Sequence, residues 1–188
     1  MKRIAILALT ASLGIPAFAA SETYVVDGSH TFPSFSYTHM GFSTQQSKFD
    51  KTAGRITIDR AAKTGSLDIS IDTKSVNTGL ELFNGHLKGE DYFNVEKFPT
   101  ITFKSSNFKF DDDKVSAIKG DLTIKGVTKP VTLAVTSFNC APHPFTKKDM
   151  CGANASTKIK RSEFNAGKNA PAVSDEVTLN IVVEAVKE

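Results

Sequence analysis

The stretch "SLDISID", from Ser66 to Asp72, alternates strictly between apolar and polar residues. Leu67, Ile69 and Ile71 fall on one face of an extended chain, and serine and aspartate fall on the other. A period of two predicts a strand with one buried and one solvated face, which is typical of antiparallel sheets. The stretch therefore predicts an all-β fold.

The same alternation recurs along most of the chain. It is found in Gly54–Asp59, Thr100–Ser105, Asp121–Gly126, Val131–Val135 and Glu176–Val186. Turn signals such as "KTG" and "DDDK" separate these segments. About eight antiparallel strands are predicted, and they fit either a sandwich or an up-and-down barrel. A barrel of eight strands is wide enough for packed side chains or for one small ligand.

One segment, "NTGLELFNGHLKGEDYFNV", departs from this period. Leu80, Phe83 and Leu87 are spaced as on one face of a helix. Asn77 or Thr78 is expected to cap the start of this helix, and Gly89 is expected to end it. A second short helix is a further expectation at residues 89–95. The sequence thus predicts one or two short helices near the middle of an antiparallel domain.

The first residues have the pattern of a secretory signal peptide. Lys2 and Arg3 precede an apolar run of about ten residues, and "AFA" at Ala17–Ala19 is a small-x-small cleavage pattern. The run is too short to span a bilayer, which takes roughly 20 apolar residues. We expect a leader over residues 1–19 and one domain over residues 20–188.

Charge and composition narrow the function classes. Without Lys2 and Arg3 the chain keeps 21 basic residues against 20 acidic ones, and the two signs are mixed along it. No basic stripe indicates nucleic-acid binding. Phenylalanine is abundant, with 14 residues. This stock predicts a large apolar interior, which either packs on itself or lines a cavity.

Two cysteines, Cys140 and Cys151, flank a proline-rich stretch that contains His143. An even number of cysteines in an exported chain favours a disulfide. The alternative is a zinc site in which His143 joins the two thiolates, although a fourth ligand is not evident.

Four segments together are similar to one family, the YceI-like proteins. They are "HTFPSFSYTHMGFSTQQSKF" (30–49), "SVNTGLELFNGHLKGEDYFNVEKFPTITFKS" (75–105), "GDLTIKGVTKPVTL" (120–133) and "IKRSEFNAG" (159–167). Each resemblance is weak alone, but the four occur in order over nearly the whole chain after the leader. One departure is Asn165, where the family usually has glycine; asparagine tolerates a left-handed backbone better than most residues.

The resemblance implies a fold, a ligand and a compartment. The fold would be an extended, lipocalin-like antiparallel β-barrel of about eight strands. The ligand would be a non-covalently bound polyisoprenoid lipid or similar long amphiphile, with an isoprenoid quinone as one candidate. The protein would be periplasmic, and transient membrane contact and a homodimer are further expectations about its partners.

The ligand-binding prediction combines inward apolar positions with three polar residues. The predicted set is Phe32, Phe35, Tyr37, His39, Phe49, Ile56, Ile58, Leu67, Ile69, Ile71, Leu80, Phe83, His86, Phe93, Ile101, Phe103 and Arg161. Ligand pockets of this kind are mostly apolar with a few placed polar groups.

The polar members of this set have alternative roles. His39 shares a strand face with Phe35 and Tyr37, so it is either a core histidine bonded to a backbone carbonyl, a group that orients a ligand head, or a metal ligand. His86 can line or close one end of the barrel. Arg161 either pairs with Glu163 or Asp175, or meets a polar head group.

Three functions from different classes remain open on the sequence. The first is binding and transport or storage of the lipid. The second is redox or metal chemistry on an isoprenoid quinone, and the third is an interaction domain with a filled barrel. Standard catalytic motifs are missing from the sequence, and no histidine pair has metal-ligand spacing. We therefore expect a binding protein that is not an enzyme and holds no metal.

Overall fold

Antiparallel strands make up most of residues 21–188, the part of the chain that the computed structural model describes. The elements are β1 (Glu22–Val26), β2 (Ser34–His39), β3 (Ser43–Phe49), β4 (Thr52–Asp59), β5 (Thr64–Asp72), β6 (Val76–Asn77), α1 (Glu81–Lys88), β7 (Thr100–Asp111), β8 (Lys114–Ile124), β9 (Val127–Pro142), β10 (Asp149–Lys160) and β11 (Glu176–Lys187). Two short 3₁₀ helices cover Thr73–Ser75 and Arg161–Phe164. The predicted leader, residues 1–19, lies outside the described residues.

Eight of the strands form a closed barrel. Their order around the ring is β1-β4-β5-β7-β8-β9-β10-β11, and β11 pairs back to β1. On β1, Val25 lies opposite Arg55 of β4 on one side and opposite Val186 of β11 on the other. All these pairings are antiparallel, so the predicted eight-stranded antiparallel barrel is confirmed. Closure leaves this ring without the unpaired edges that an open sheet exposes.

The remaining strands lengthen one end of the barrel wall. Near its C-terminus β11 pairs with β1, but at Thr178–Asn180 it pairs with Ser34–Ser36 of β2. Strands β3 and β6 then follow β2 in the same sheet. The chain crosses from β6 into α1, which therefore lies at this lengthened end.

One short α-helix forms within residues 21–188, as the prediction of one or two short helices allows. Helix α1 begins after Leu80 and ends at Gly89, with Glu81 in its first turn and Lys88 in its last. Leu80 occupies the cap position, so the expected capping by Asn77 or Thr78 is wrong. The second helix, at residues 89–95, is also wrong: successive turns occupy it, and Asn94 has a left-handed backbone with φ of 47°. None of the helices within residues 21–188 has the length and hydropathy needed to cross a membrane.

Cys140 and Cys151 form a disulfide that joins β9 to β10. The two residues lie directly opposite each other in the strand register. The predicted disulfide is confirmed, and the alternative zinc site is wrong because both sulfurs are used in the bond. The His143 ring instead accepts hydrogen bonds from the backbone N–H groups of Phe145 and Thr146.

Replacing both cysteines by serine is expected to lower the free energy of unfolding by about 2–3 kcal/mol, because the bond restricts a short loop in the unfolded chain. Urea unfolding of the double variant against the oxidised wild type measures this. An unchanged urea midpoint would contradict a stabilising role for the bond.

A charged cluster fastens the closing strand β1 to its neighbours. The Glu22 carboxylate accepts hydrogen bonds from Lys187 of β11, Arg60 after β4 and the Tyr24 hydroxyl. These bonds lower the pKa of Glu22 to about 2 from an ordinary value of 4.5, and the hydrogen bond from Lys187 has the largest effect. Because the pKa of Glu22 is lower in the folded than in the unfolded chain, its charged carboxylate stabilises the fold fully above pH 4.5. This stabilisation is lost as the pH falls toward 2 and the carboxylate becomes protonated.

We expect Glu22→Gln to reduce the free energy of unfolding by about 1–2 kcal/mol at pH 7 because it removes charge-assisted hydrogen bonds. The difference from wild type should shrink steadily between pH 5 and pH 2 in urea unfolding series. Asp68→Asn is the matched control, since Asp68 pairs with Lys104 across two exposed side chains, and such pairs contribute little. A pH-independent difference for Glu22→Gln would contradict the assignment.

Candidate functional site

The barrel encloses an apolar cavity of about 780 Å³. It is lined by residues from every strand of the ring, and along β11 it runs from Val177 to Ala185. That stretch of strand is roughly 27 Å long at about 3.4 Å per residue. The cavity is therefore long as well as large, and the alternative of a filled barrel does not match this interior.

Small side chains on one wall leave this space open. Gly152, Ala153 and Ala155 of β10 and Ala185 of β11 all line the cavity. Ala155 lies between Val135 of β9 and Ile181 of β11 in the strand register. A larger side chain at Ala155 would therefore project into the cavity.

Fifteen of the seventeen residues predicted to bind ligand line the cavity. They are Phe35, Tyr37, His39, Phe49, Ile56, Ile58, Leu67, Ile69, Ile71, Phe83, His86, Phe93, Ile101, Phe103 and Arg161. Their contact with a ligand stays a prediction.

Phe32 and Leu80 do not line the cavity. Thr31 and Pro33, on either side of Phe32, face inward, so the Phe32 ring lies on the opposite side, under the Lys48 ammonium group at 4.6 Å. Leu80 is the exposed cap residue of α1. Both residues fall just outside the regular elements whose period was used to orient them, and their contact with a ligand stays a prediction.

Aromatic rings cluster near the lengthened end of the cavity. The centroids of Phe35, Phe49 and Phe93 lie 5.3 to 5.9 Å apart, and the Tyr37 ring stacks on Phe35. Phe93 comes from the turns after α1, so its ring ties that segment to β2 and β3. The cluster provides a broad apolar surface beneath the mouth of the cavity.

The mouth is formed by three segments. They are the tip of the β2–β3 hairpin with His39 and Met40, helix α1 with Phe83 and His86, and the loop between Arg161 and β11. The backbone of Met40 donates a hydrogen bond to the carbonyl of Ala172, which fastens the hairpin tip to this loop. The Asn169 amide in turn donates to the Tyr92 hydroxyl at 2.9 Å, which fastens the loop to the turns after α1.

His39 lies at this mouth and not in the core. Its side chain is exposed, although it also lines the cavity. The prediction of a core histidine bonded to a carbonyl is therefore wrong. A histidine at the apolar end of β2 faces the opening, where a polar ring can meet a ligand head group.

Arg161 organises the mouth loop through backbone carbonyls. Its guanidinium donates to the carbonyl oxygens of Ala166, Lys168, Val173 and Ser174. Pairing with Glu163 or Asp175 is not found, and Asp175 instead accepts hydrogen bonds from Ser162. Among the described residues that line the cavity, Arg161 is the only arginine, and none is aspartate, glutamate or lysine.

The turn after Arg161 depends on Asn165. This residue closes the 3₁₀ helix with a left-handed backbone, φ 57°. The expectation that asparagine sustains the turn normally made by glycine is confirmed. Its carbonyl also accepts a hydrogen bond from Lys125 of the β8–β9 turn.

One group of side chains outside the cavity has metal-ligating chemistry. Ligand atoms of Asp27, His30 and Glu184 lie within 4.8 Å of one another. The Asp27 carboxylate is already bonded to the backbone and hydroxyl of Ser29 and to the His30 ring. These bonds lower the pKa of Asp27 to about 2, and the hydrogen bond from the Ser29 hydroxyl has the largest effect. The cluster is thus satisfied as a turn between β1 and β2, in keeping with a structural role for His30.

The prediction from sequence missed more than two thirds of the residues that line the cavity. Inward residues of β8, β9 and β11, such as Leu122, Leu133 and Leu179, show the same alternation as the predicted set and could have been included. Tyr92 and the loop residues Asn169–Val173 carry no such signal, because irregular segments have no period. The site as a whole is an apolar tube with a polar mouth, suited to hold a long apolar molecule by burial.

Comparison with known proteins agrees with the architecture. The family model for the YceI-like domain matches residues 24–185. Protein YceI of Escherichia coli O157:H7 is 36% identical over 173 residues, which cover 90% of each chain.

Two solved structures share the fold. BcnA of Burkholderia cenocepacia is 28% identical, with a TM-score of 0.73 over 85% of this chain and 99% of that one. A polyisoprenoid binding domain from Saccharophagus degradans is 18% identical, with a TM-score of 0.65 over 88% of this chain and 98% of that one, which is a likeness of fold alone. With the family model spanning nearly all of the barrel, this chain belongs to the YceI-like family.

Proposed function

We propose that this protein binds one polyisoprenoid lipid non-covalently inside the barrel and carries or stores it in the periplasm. The observation that carries the proposal is the long cavity of about 780 Å³, whose walls are mostly apolar and whose polar side chains are concentrated at the mouth. Family membership supports a lipid-binding role, and the likeness of fold to a polyisoprenoid binding domain supports the class of ligand. An isoprenoid quinone is one candidate.

Binding by burial explains why the site needs few polar groups. Each CH₂ moved from water to an apolar site contributes about 0.8 kcal/mol, so a long chain overcomes the cost of ordering it. His39, His86 and Arg161 lie at the mouth, where a polar head would remain near water. A role as a binding protein needs no reaction at these groups.

The proposed compartment has two supports. The pattern at residues 1–19 is typical of a secretory leader, and a disulfide is typical of an oxidising compartment. A homodimer remains a prediction.

Titration of lipid-free protein with prenols of increasing length tests the proposal. Affinity should rise with each isoprene unit until the cavity is filled and then level off. Saturated alcohols of equal carbon number are the control for branching and unsaturation. Affinity that does not depend on chain length, or no binding at all, would contradict the proposal.

A further inference from the structure

The exposed apolar side chains are concentrated at the cavity mouth. Of the eight large ones found exposed within residues 21–188, five lie on the β2–β3 turn and on α1 with its cap. We name these five the rim patch: Met40, Phe42, Leu80, Leu82 and Phe83. The other three, Val25, Phe145 and Val182, lie apart on β1, the β9–β10 loop and β11.

The rim patch is continuous with the cavity. Met40 and Phe83 are 58% and 54% exposed, yet both also line the cavity. One apolar surface therefore runs from the outside of the molecule into the barrel. A ligand leaving through this mouth would meet apolar side chains along the whole path.

Charge is missing from β2 and from the β2–β3 turn, which carries part of the patch. From Gly28 to Ser47 the chain has no Asp, Glu, Lys or Arg. Between Leu80 and Leu87, where α1 carries the rest of the patch, Glu81 is the only Asp, Glu, Lys or Arg. A surface of this kind can enter the boundary of a bilayer without removing a charge from water, which is costly.

The turn holds its apolar side chains in an unfavourable position. Met40 and Gly41 both have left-handed backbones, with φ of 50° and 74°, and the Phe42 N–H closes the turn on the His39 carbonyl. Turns of this type favour asparagine and glycine at their centre. Methionine gains little packing there, and Phe42 is 88% exposed, so the folded protein alone does not account for these residues.

We infer that the rim patch docks on the surface of a lipid bilayer, so that a lipid passes between membrane and cavity without crossing water. This inference rests on the proposed function and adds the surface through which the ligand is exchanged. Docking is driven by apolar burial, so it varies little with ionic strength.

Co-sedimentation with phosphatidylethanolamine–phosphatidylglycerol vesicles tests the inference. The double variant Phe42→Ser/Leu82→Ser changes two rim residues that do not line the cavity. Its partition into vesicles should fall by at least about tenfold, since two apolar side chains no longer enter the bilayer.

The matched control is Phe145→Ser/Val182→Ser. Phe145 is as exposed as Phe42, at 87%, but its hairpin pairs with the end of β11 far from the mouth. Partition of this control should stay within about twofold of wild type.

The lipid carried by each purified protein is measured in parallel by native mass spectrometry. Three results would overturn docking: wild type that does not sediment with vesicles, an equal loss in both double variants, or a rim patch that mediates only a concentration-dependent dimer. If the purified protein carries lipid but does not sediment with vesicles, the proposed function is supported and the proposed docking on membranes is contradicted.

Discussion

Replacing Ala155 by phenylalanine should nearly abolish lipid binding while leaving the fold intact. Ala155 lies in the cavity wall between Val135 and Ile181, both of which also face the cavity. The new ring would project into space that an isoprenoid chain is proposed to occupy. We expect the affinity for a long prenol to fall by at least about tenfold, because several buried CH₂ groups would be displaced.

The stability of this variant separates blocking from misfolding. Because the ring enters an existing cavity, the free energy of unfolding should change by less than about 1 kcal/mol. Ala134→Phe is the matched control, since Ala134 is exposed on the outer face of β9. It should bind prenol like wild type. Normal binding by Ala155→Phe would place the ligand outside the barrel.

Phe164→Ala should produce the largest loss of stability among single substitutions considered for the barrel. The Phe164 side chain is 1% exposed and belongs to the main apolar cluster. Its 3₁₀ helix also connects β10 to the loop that Arg161 organises. Truncating a buried phenylalanine typically costs about 3–5 kcal/mol, and urea unfolding measures the difference.

The same substitution at an exposed site provides the comparison. Phe42→Ala should change the free energy of unfolding by less than about 0.5 kcal/mol, because that ring is almost fully exposed. A cost below about 1 kcal/mol for Phe164→Ala would mean that its ring contributes less to the core than its burial indicates.

The strands of the ring were predictable because one physical rule governs them all. A strand with one face on an apolar interior must alternate, and Leu67, Ile69 and Ile71 show this alternation in its simplest form. The same rule placed Ile56, Ile101 and Phe103 in the cavity wall. It failed at Phe32 and Leu80, which lie where the chain enters or leaves a regular element.

Openness of the interior could not be predicted in the same way. Alternation tells which residues face inward but not whether opposite walls touch. The cavity depends on small residues such as Ala155 and Ala185 lying beside one another on paired strands, and that depends on register. A one-residue shift in pairing would turn each strand over.

The mouth was the least predictable part. Arg161 was expected either to pair with a carboxylate or to meet a head group, yet it binds four carbonyls of a loop that is distant in sequence from the rest of the mouth. The sequence leaves His39 with a core role, a head-group role or a metal role, because it continues the Phe35–Tyr37 face of β2. The strand in fact ends there, so the next inward position is already at the opening.

Native mass spectrometry of the protein purified from the cells that produce it tests the central claim most directly. The account predicts one bound lipid per chain, released by organic solvent and identified as a polyisoprenoid. A homogeneous mass without ligand, unchanged after incubation with isoprenoid lipids, would contradict it.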